Sequence, residues 1–189
     1  MVKTIGVLAL QGDFREHIQI LKKLKVNATE VRTKGEFDKL DGLIIPGGES
    51  TTITNLLRKY HLDSEIKTHY KNGMAIWGTC AGAIILAKKI DNHEKQPTLG
   101  LIDITINRNA YGRQIDSFEE DIRVTGLQKK FHAIFIRAPI IENIGDDIEI
   151  LAKNNSEPVL IKKDNILIST FHPELTNDTR LHRLFLKMV

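Results

Sequence analysis

The apolar run Met74-Ala75-Ile76-Trp77 leads straight into Gly78-Thr79-Cys80-Ala81-Gly82, and Cys80 is the only cysteine in the chain. This order predicts a strand, a very tight turn with the thiol at its tip, and a helix starting at Ala81. Strand and helix backbones approach closely at such a junction, where a Cβ would collide. That accounts for a glycine two residues to either side of the cysteine. The thiol also sits at a helix N-terminus, whose positive dipole end favours an anionic sulfur. A lone cysteine elsewhere would read as a small buried hydrophobe; at this turn it reads as a nucleophile.

A nucleophilic cysteine needs a base, and the base needs an orienting group. The strand-like run Asn165-Ile166-Leu167-Ile168 is followed by Ser169-Thr170-Phe171-His172-Pro173-Glu174. Residues two apart in an extended segment share a side, and Pro173 keeps His172 out of helix while fixing its own φ. Glu174 can therefore reach one ring nitrogen of His172 while the other faces a thiol. Of the seven histidines, only His172 carries a carboxylate at this proline-held offset. His17 follows Glu16 on an amphipathic helix, and His61, His69 and His93 read as solvated. A third element, Gly42-Leu43-Ile44-Ile45-Pro46-Gly47-Gly48-Glu49-Ser50-Thr51-Thr52, runs from an apolar strand through Pro-Gly-Gly into a helix capped by Ser50 or Thr51. Its glycine turn exposes backbone N–H groups that can converge on an anion. It lacks the lysine and spacing of a phosphate-binding P-loop.

The coarse pattern alternates strand and helix in the first half. Strand Thr4–Leu10 precedes a helix around Phe14–Leu24 with Ile18, Leu21 and Leu24 on one face. Strands near Thr29–Val31 and Leu43–Ile45 follow, then a helix after Ser50. Later strand candidates cluster at Ile102–Ile106, Ile122–Val124, Ala133–Ile136, Glu149–Ala152, Val159–Ile161 and Ile166–Ser169, with a closing helix at Thr179–Met188. These elements predict a three-layer α/β/α domain with a mixed, mainly parallel central sheet and a small antiparallel extension. At 189 residues and 41% hydrophobic, the chain can bury a substantial single core. One cysteine excludes a disulfide framework and points to a reducing compartment, the cytoplasm. No stretch is long and apolar enough to span a bilayer. The net charge of +3 comes from scattered basic residues without interleaved aromatics, which argues against nucleic acid.

Taken together, Pro46-Gly47-Gly48-Glu49-Ser50, Gly78-Thr79-Cys80-Ala81-Gly82 and His172-Pro173-Glu174 resemble the class I (triad) glutamine amidotransferases, whose domain is flavodoxin-like. Within them the chain is most similar to the glutaminase subunits of ribose-5-phosphate-dependent pyridoxal 5′-phosphate synthases. Leu10-Gln11-Gly12 with Arg15-Glu16-His17, Arg108-Asn109-Ala110-Tyr111-Gly112-Arg113-Gln114 and Phe135-Ile136-Arg137-Ala138-Pro139 support the narrower resemblance. It runs from the first strand to the last helix, which implies one glutaminase domain over 1–189.

The resemblance implies hydrolysis of L-glutamine to L-glutamate and ammonia through a thioester on Cys80, with His172 as acid and base and Glu174 orienting it. The oxyanion would be held by N–H groups of Gly48 and Ala81. Glutamine itself would be bound by Gly47, Gly48, Glu49, Arg108, Ile136 and Arg137, with Glu49 suited to its ammonium and Arg108 to its carboxylate. No cofactor or metal is implied. The implied partner is a (β/α)₈-barrel synthase subunit in a large hetero-oligomer, twelve of each, which takes the ammonia into pyridoxal 5′-phosphate. Two rivals have less support. A peptidase or deglycase relative presents histidine just after the elbow cysteine, where Ala81 stands here. A non-catalytic scaffold would not need Cys80, His172 and Glu174.

Overall fold

The apolar runs Gly42–Ile45 and Ala75–Thr79 form strands in which every residue is buried, as a sheet covered on both faces demands. The computed structural model describes residues 3–91, 95–108 and 117–189. In chain order these form β1 (Thr4–Leu8), α1 (Phe14–Lys23), β2 (Asn27–Val31), a 3-10 helix (Lys34–Lys39), β3 (Gly42–Ile45), α2 (Ser50–Lys59), α3 (Leu62–Lys71), β4 (Ala75–Thr79) and α4 (Ala81–Leu86). There follow β5 (Ala87–Asp91), β6 (Ile102–Asn107), β7 (Ser117–Ile122), β8 (Phe131–Ile136), β9 (Ile140–Ile144), β10 (Glu149–Asn154), β11 (Glu157–Lys163), β12 (Ile166–Ser169), a 3-10 turn (Pro173–Leu175) and α5 (Arg180–Leu186).

The central sheet has the order β10-β11-β12-β4-β3-β1-β2. From β2 to β12 all neighbours are parallel, whereas β10, β11 and β12 pair antiparallel at one edge. The parallel part has the flavodoxin-like order, with β12 as its fifth strand. Alternation along β3 sends Leu43 and Ile45 into a core shared with α2, α3 and α4, and with the small sheet β5-β6-β9. Ile44 faces the opposite core, built with α1, α5 and the β7–β8 hairpin. No described helix is long and apolar enough to cross a membrane.

Several expected boundaries move for physical reasons. β1 stops at Leu8, where the chain bends toward the Gln11-Gly12 turn. α4 ends at Leu86 because Ala87 turns to ψ 153 and the chain passes directly into β5. The strand expected at Ile122–Val124 lies upstream instead, as β7, whose charged sequence is held extended by residue-for-residue pairing with β8. Val124 makes only an isolated bridge to Ala152. β5, β9 and α3 had no counterpart in the sequence reading. The loop expected at Asn92–Pro97 lies partly outside the described residues, and so do His93 and the Asn109–Gln114 stretch.

Candidate active site

Cys80 caps α4 with φ 46 and ψ −100, a strained backbone for a residue with a Cβ. Such strain costs about 1–3 kcal/mol and persists where the surroundings over-determine it. Here they do. A Cβ on Gly78 would lie 2.6 Å from the carbonyl carbon of Gly82, and one on Gly82 would lie 2.0 Å from the Ile45 oxygen. The second glycine thus makes room for β3 as well as for the turn. Cys80 N donates to Ser169 O at 2.9 Å, tying the tip of the turn to the end of β12.

That end of β12 delivers His172. Its backbone N–H donates to Ile134 O at 2.8 Å, so β8 holds the His-Pro-Glu segment in place. Glu174 Oε1 sits 2.7 Å from His172 Nδ1, as the proline-held spacing predicts, and Cys80 is a further hydrogen-bond partner of the ring. The imidazole packs against Gly47, where a Cβ would lie 2.4 Å from Cε1. Gly47 is therefore required for packing against the base, which no turn argument reveals. Asp13 Oδ2 also lies 3.4 Å from His172 Nδ1, and no feature of the sequence singles that residue out.

Burial alone would lower the His172 pKa, but hydrogen bonds to Asp13, Cys80 and Glu174 outweigh it and push it up to about 12. These bonds favour the imidazolium form of the ring, the form that can hand a proton to a leaving group. Glu174 is pushed up by its own burial, opposed by His172. Asp13, His172 and Glu174 are close enough to hold a cation, although both carboxylates already engage the ring.

His17 departs from its sequence reading. It is fully buried, with Nε2 3.3 Å from both Glu174 Oε2 and Thr79 Oγ1, and Nδ1 3.0 Å from His182 Nε2. Phe14, His17, Ile18 and Leu21 share the helical stripe that α1 turns inward; that spacing was the available signal. His69 is half-buried against Phe37 and near Asp38, whereas His61 is exposed as expected.

A cleft of about 490 Å³ opens over Cys80, lined by Gly48, Glu49, Ala81, Arg108, Ile136, Arg137, Asp13 and His172 among others. Apart from Gly47 and Glu174, which stand behind His172, every proposed site residue lines it. Ile136 O approaches Cys80 Sγ at 3.8 Å, and Arg137, exposed, has φ 45. Helix α2 is capped by Glu49 and not by Ser50 or Thr51: its carboxylate accepts from Thr51 N at 3.2 Å and Thr52 N at 2.7 Å. The orphan N–H groups and positive end of the helix favour an anion at that position. Glu49 also pairs with Arg108 Nη2 at 3.0 Å. Arg108 is further held by Gln96 Oε1 and Thr51 Oγ1. Burial would raise the Glu49 pKa, but bonds to Thr52 and Thr51 and the charge of Arg108 leave it lowered.

A model of the SNO glutamine amidotransferase family matches residues 7–189. A protein of Thermosipho africanus named pyridoxal 5′-phosphate synthase subunit PdxT is 51% identical over 98% of each chain. One of the same name from Thermus thermophilus is 51% identical over 97% of this chain and 96% of its own. A crystal structure described as a glutamine amidotransferase superposes with a TM-score of 0.94 at 51% identity, covering 97% of both chains.

Proposed function

The chain belongs to the SNO glutamine amidotransferase family, and we propose that it hydrolyses L-glutamine through a thioester on Cys80, releasing L-glutamate and passing ammonia to a synthase subunit that makes pyridoxal 5′-phosphate. The observation that carries the residue assignment is the His172 ring. It is fixed by Glu174 at 2.7 Å and lines the same cleft as a cysteine in a strained turn, at the carboxyl ends of parallel strands, where open α/β sheets bind ligands.

Attack by the Cys80 sulfur on the side-chain carboxamide forms the C–S bond and a tetrahedral oxyanion. His172, already protonated, gives its proton to the nitrogen as the C–N bond breaks and ammonia leaves. The neutral ring then takes a proton from water, whose oxygen attacks the thioester; collapse returns the thiolate and releases glutamate. Glu174 holds the tautomer and the charge of the ring through both halves.

For the oxyanion, the reading takes the N–H groups of Ala81 and Gly48. Ala81 opens α4, where N–H groups have no intrahelical acceptor. Gly47 O accepts from Asp13 N at 3.1 Å, and in a trans peptide this turns the Gly48 N–H to the opposite side. One such donor lowers the barrier by about 2.7–4 kcal/mol. Glutamine would enter with its ammonium toward Glu49 and its carboxylate toward Arg108, against the Gly47-Gly48 loop, Ile136 and Arg137.

We further read residues 1–189 as one catalytic unit, acting in the cytoplasm, and the partner as a (β/α)₈ barrel in a twelve-plus-twelve assembly; that part rests on the sequence motifs. Glutamate release measured with and without the cognate synthase subunit tests the reading. Turnover that rises on adding the synthase supports it, and no glutamate release from the complex overturns it.

A further inference from the structure

Behind the catalytic histidine, Glu174 is 4% exposed and its two oxygens have different surroundings. Oε1 takes the His172 bond. Oε2 makes no hydrogen bond among the described residues, although His17 Nε2 lies 3.3 Å from it. The chain of contacts continues inward, since His17 Nδ1 lies 3.0 Å from His182 Nε2. His182 Nδ1, buried, has no partner among the described residues. Trp77 stands edge-on to both rings, with centroids 5.7 Å from His17 and 4.9 Å from His182. Its Nε1 donates to Ser169 Oγ at 3.2 Å, so the wall that fixes both rings is itself anchored.

Burial lowers the pKa of both rings, that of His182 to about 3. Both are therefore neutral, and each carries one N–H. A single proton lies between His17 Nδ1 and His182 Nε2, which leaves two arrangements. If His17 donates, its Nε2 lone pair faces the Glu174 carboxylate, and His182 buries an unpaired N–H at Nδ1. Both features are costly in a dry interior. If His182 donates from Nε2, His17 must carry its proton on Nε2, where it meets Thr79 Oγ1 and faces Glu174 Oε2, each at 3.3 Å. His182 Nδ1 then keeps only a bare lone pair, which is cheaper to bury than an unpaired N–H. The unpartnered atom thus selects the tautomers.

We propose that His17 and His182 are positioning residues for Glu174: His182 donates from Nε2 to His17 Nδ1, which keeps the His17 proton on Nε2, where its positive end faces Glu174 Oε2 at 3.3 Å. They keep the buried carboxylate charged and aimed at His172. The inference rests on the catalytic reading above and deepens it. Neither ring lines the cleft, so their effect passes through Glu174 and not through glutamine binding.

Nitrogen-15 NMR of histidine-labelled full chain reads the tautomers directly. The expected result is a protonated Nε2 and bare Nδ1 on both rings; a proton on His17 Nδ1 overturns the proposal. In the synthase complex, His17→Leu should lower kcat about tenfold or more, with KM for glutamine within about twofold. His17→Gln, which keeps an N–H near the Nε2 position, should recover most of it. A folded His17→Leu variant with wild-type kcat overturns the inference while leaving the catalytic reading intact. Glu174→Gln separates the two, since wild-type turnover there removes the catalytic reading itself. Should His17→Leu not fold, the tautomers of the wild-type chain still decide.

Discussion

Arg108 Nη2 lies 3.0 Å from Glu49 Oε1, so the cation and the anion that suit the two ends of glutamine neutralise one another across the mouth of the cleft. In the proposed binding mode, glutamine would exchange that pairing for its own ammonium and carboxylate. Charge-assisted hydrogen bonds contribute about 1.5–3 kcal/mol each. Arg108→Gln is therefore expected to raise KM for glutamine by about tenfold or more, with a smaller change in kcat. Steady-state kinetics of the complex check this. A changed melting temperature with unchanged KM would make the pair structural only.

Glu174 and His172 differ in what they contribute. His172→Asn removes the proton carrier and should abolish turnover. Glu174→Gln keeps the shape but loses the charge that favours the imidazolium, and should lower kcat by orders of magnitude, up to about 10⁴. Single-turnover glutamate release from the two variants separates the roles. If Glu174→Gln retained the wild-type rate in the complex, a cysteine–histidine dyad would replace the triad.

His182 links stability to pH. Burial depresses its pKa to about 3 from the ordinary 6.5. Its neutral form is native, and unfolding below that ordinary value takes up a proton. The contribution to stability is therefore complete above 6.5 and is lost progressively as pH falls toward 3. His182→Gln should flatten the acid limb, by at most about 1.4 kcal/mol per pH unit. Urea denaturation from about pH 7 to about pH 4 gives the comparison. Parallel curves for variant and wild type would show that His182 titrates alike in both states.

The Gly47–Gly48 peptide is coupled to the loop after β1. Its carbonyl accepts from Asp13 N at 3.1 Å, Glu49 N donates to Gln11 Oε1 at 2.8 Å, and a Cβ on Gly12 (φ +96) would lie 1.8 Å from Gly47 O. Docking of the synthase near Gln11-Gly12 and the exposed Arg15 would act on the oxyanion donors through these contacts; His17, expected on the same surface, is buried. The isolated chain is expected to be at least about tenfold slower than the complex, about 1.4 kcal/mol in barrier. Gly12→Ala, which must displace the Gly47 carbonyl, should slow the complex comparably. Equal rates for isolated and complexed chain at saturating glutamine would show the donors already set.

Much of the site was legible because covalent and steric rules act locally. Glycines around Cys80 and the proline between His172 and Glu174 encode their geometry within a few residues. The parallel strands were legible from unbroken apolar runs. What the sequence hid depends on partners far along the chain. β7 (Ser117–Ile122), rich in acidic residues, is a strand only because β8 pairs with it. α3 buries only Leu62 and Ile66 and enters through His61 at φ 54, which leaves a weak helical signal. Glu49 resembles a substrate ligand in sequence, and its capping of α2 needs the three-dimensional turn. His17 and His182 lie beside Ile18 and Leu181 on inward faces. That they meet, 165 residues apart, follows from α1 and α5 packing on the same side of the sheet.

If Cys80 forms the covalent bond to the substrate, glutamate release by Cys80→Ala in the synthase complex should vanish. Alanine is small enough for the turn, and the variant should still fold, bind glutamine and join the complex, because the thiol's contacts are with His172 and Ile136 O. Its glutamate release at saturating glutamine is expected to be indistinguishable from the enzyme-free background, beside full turnover of the wild type. Release at a rate near wild type would contradict the covalent role of Cys80, because no other cysteine exists in the chain to take the acyl group.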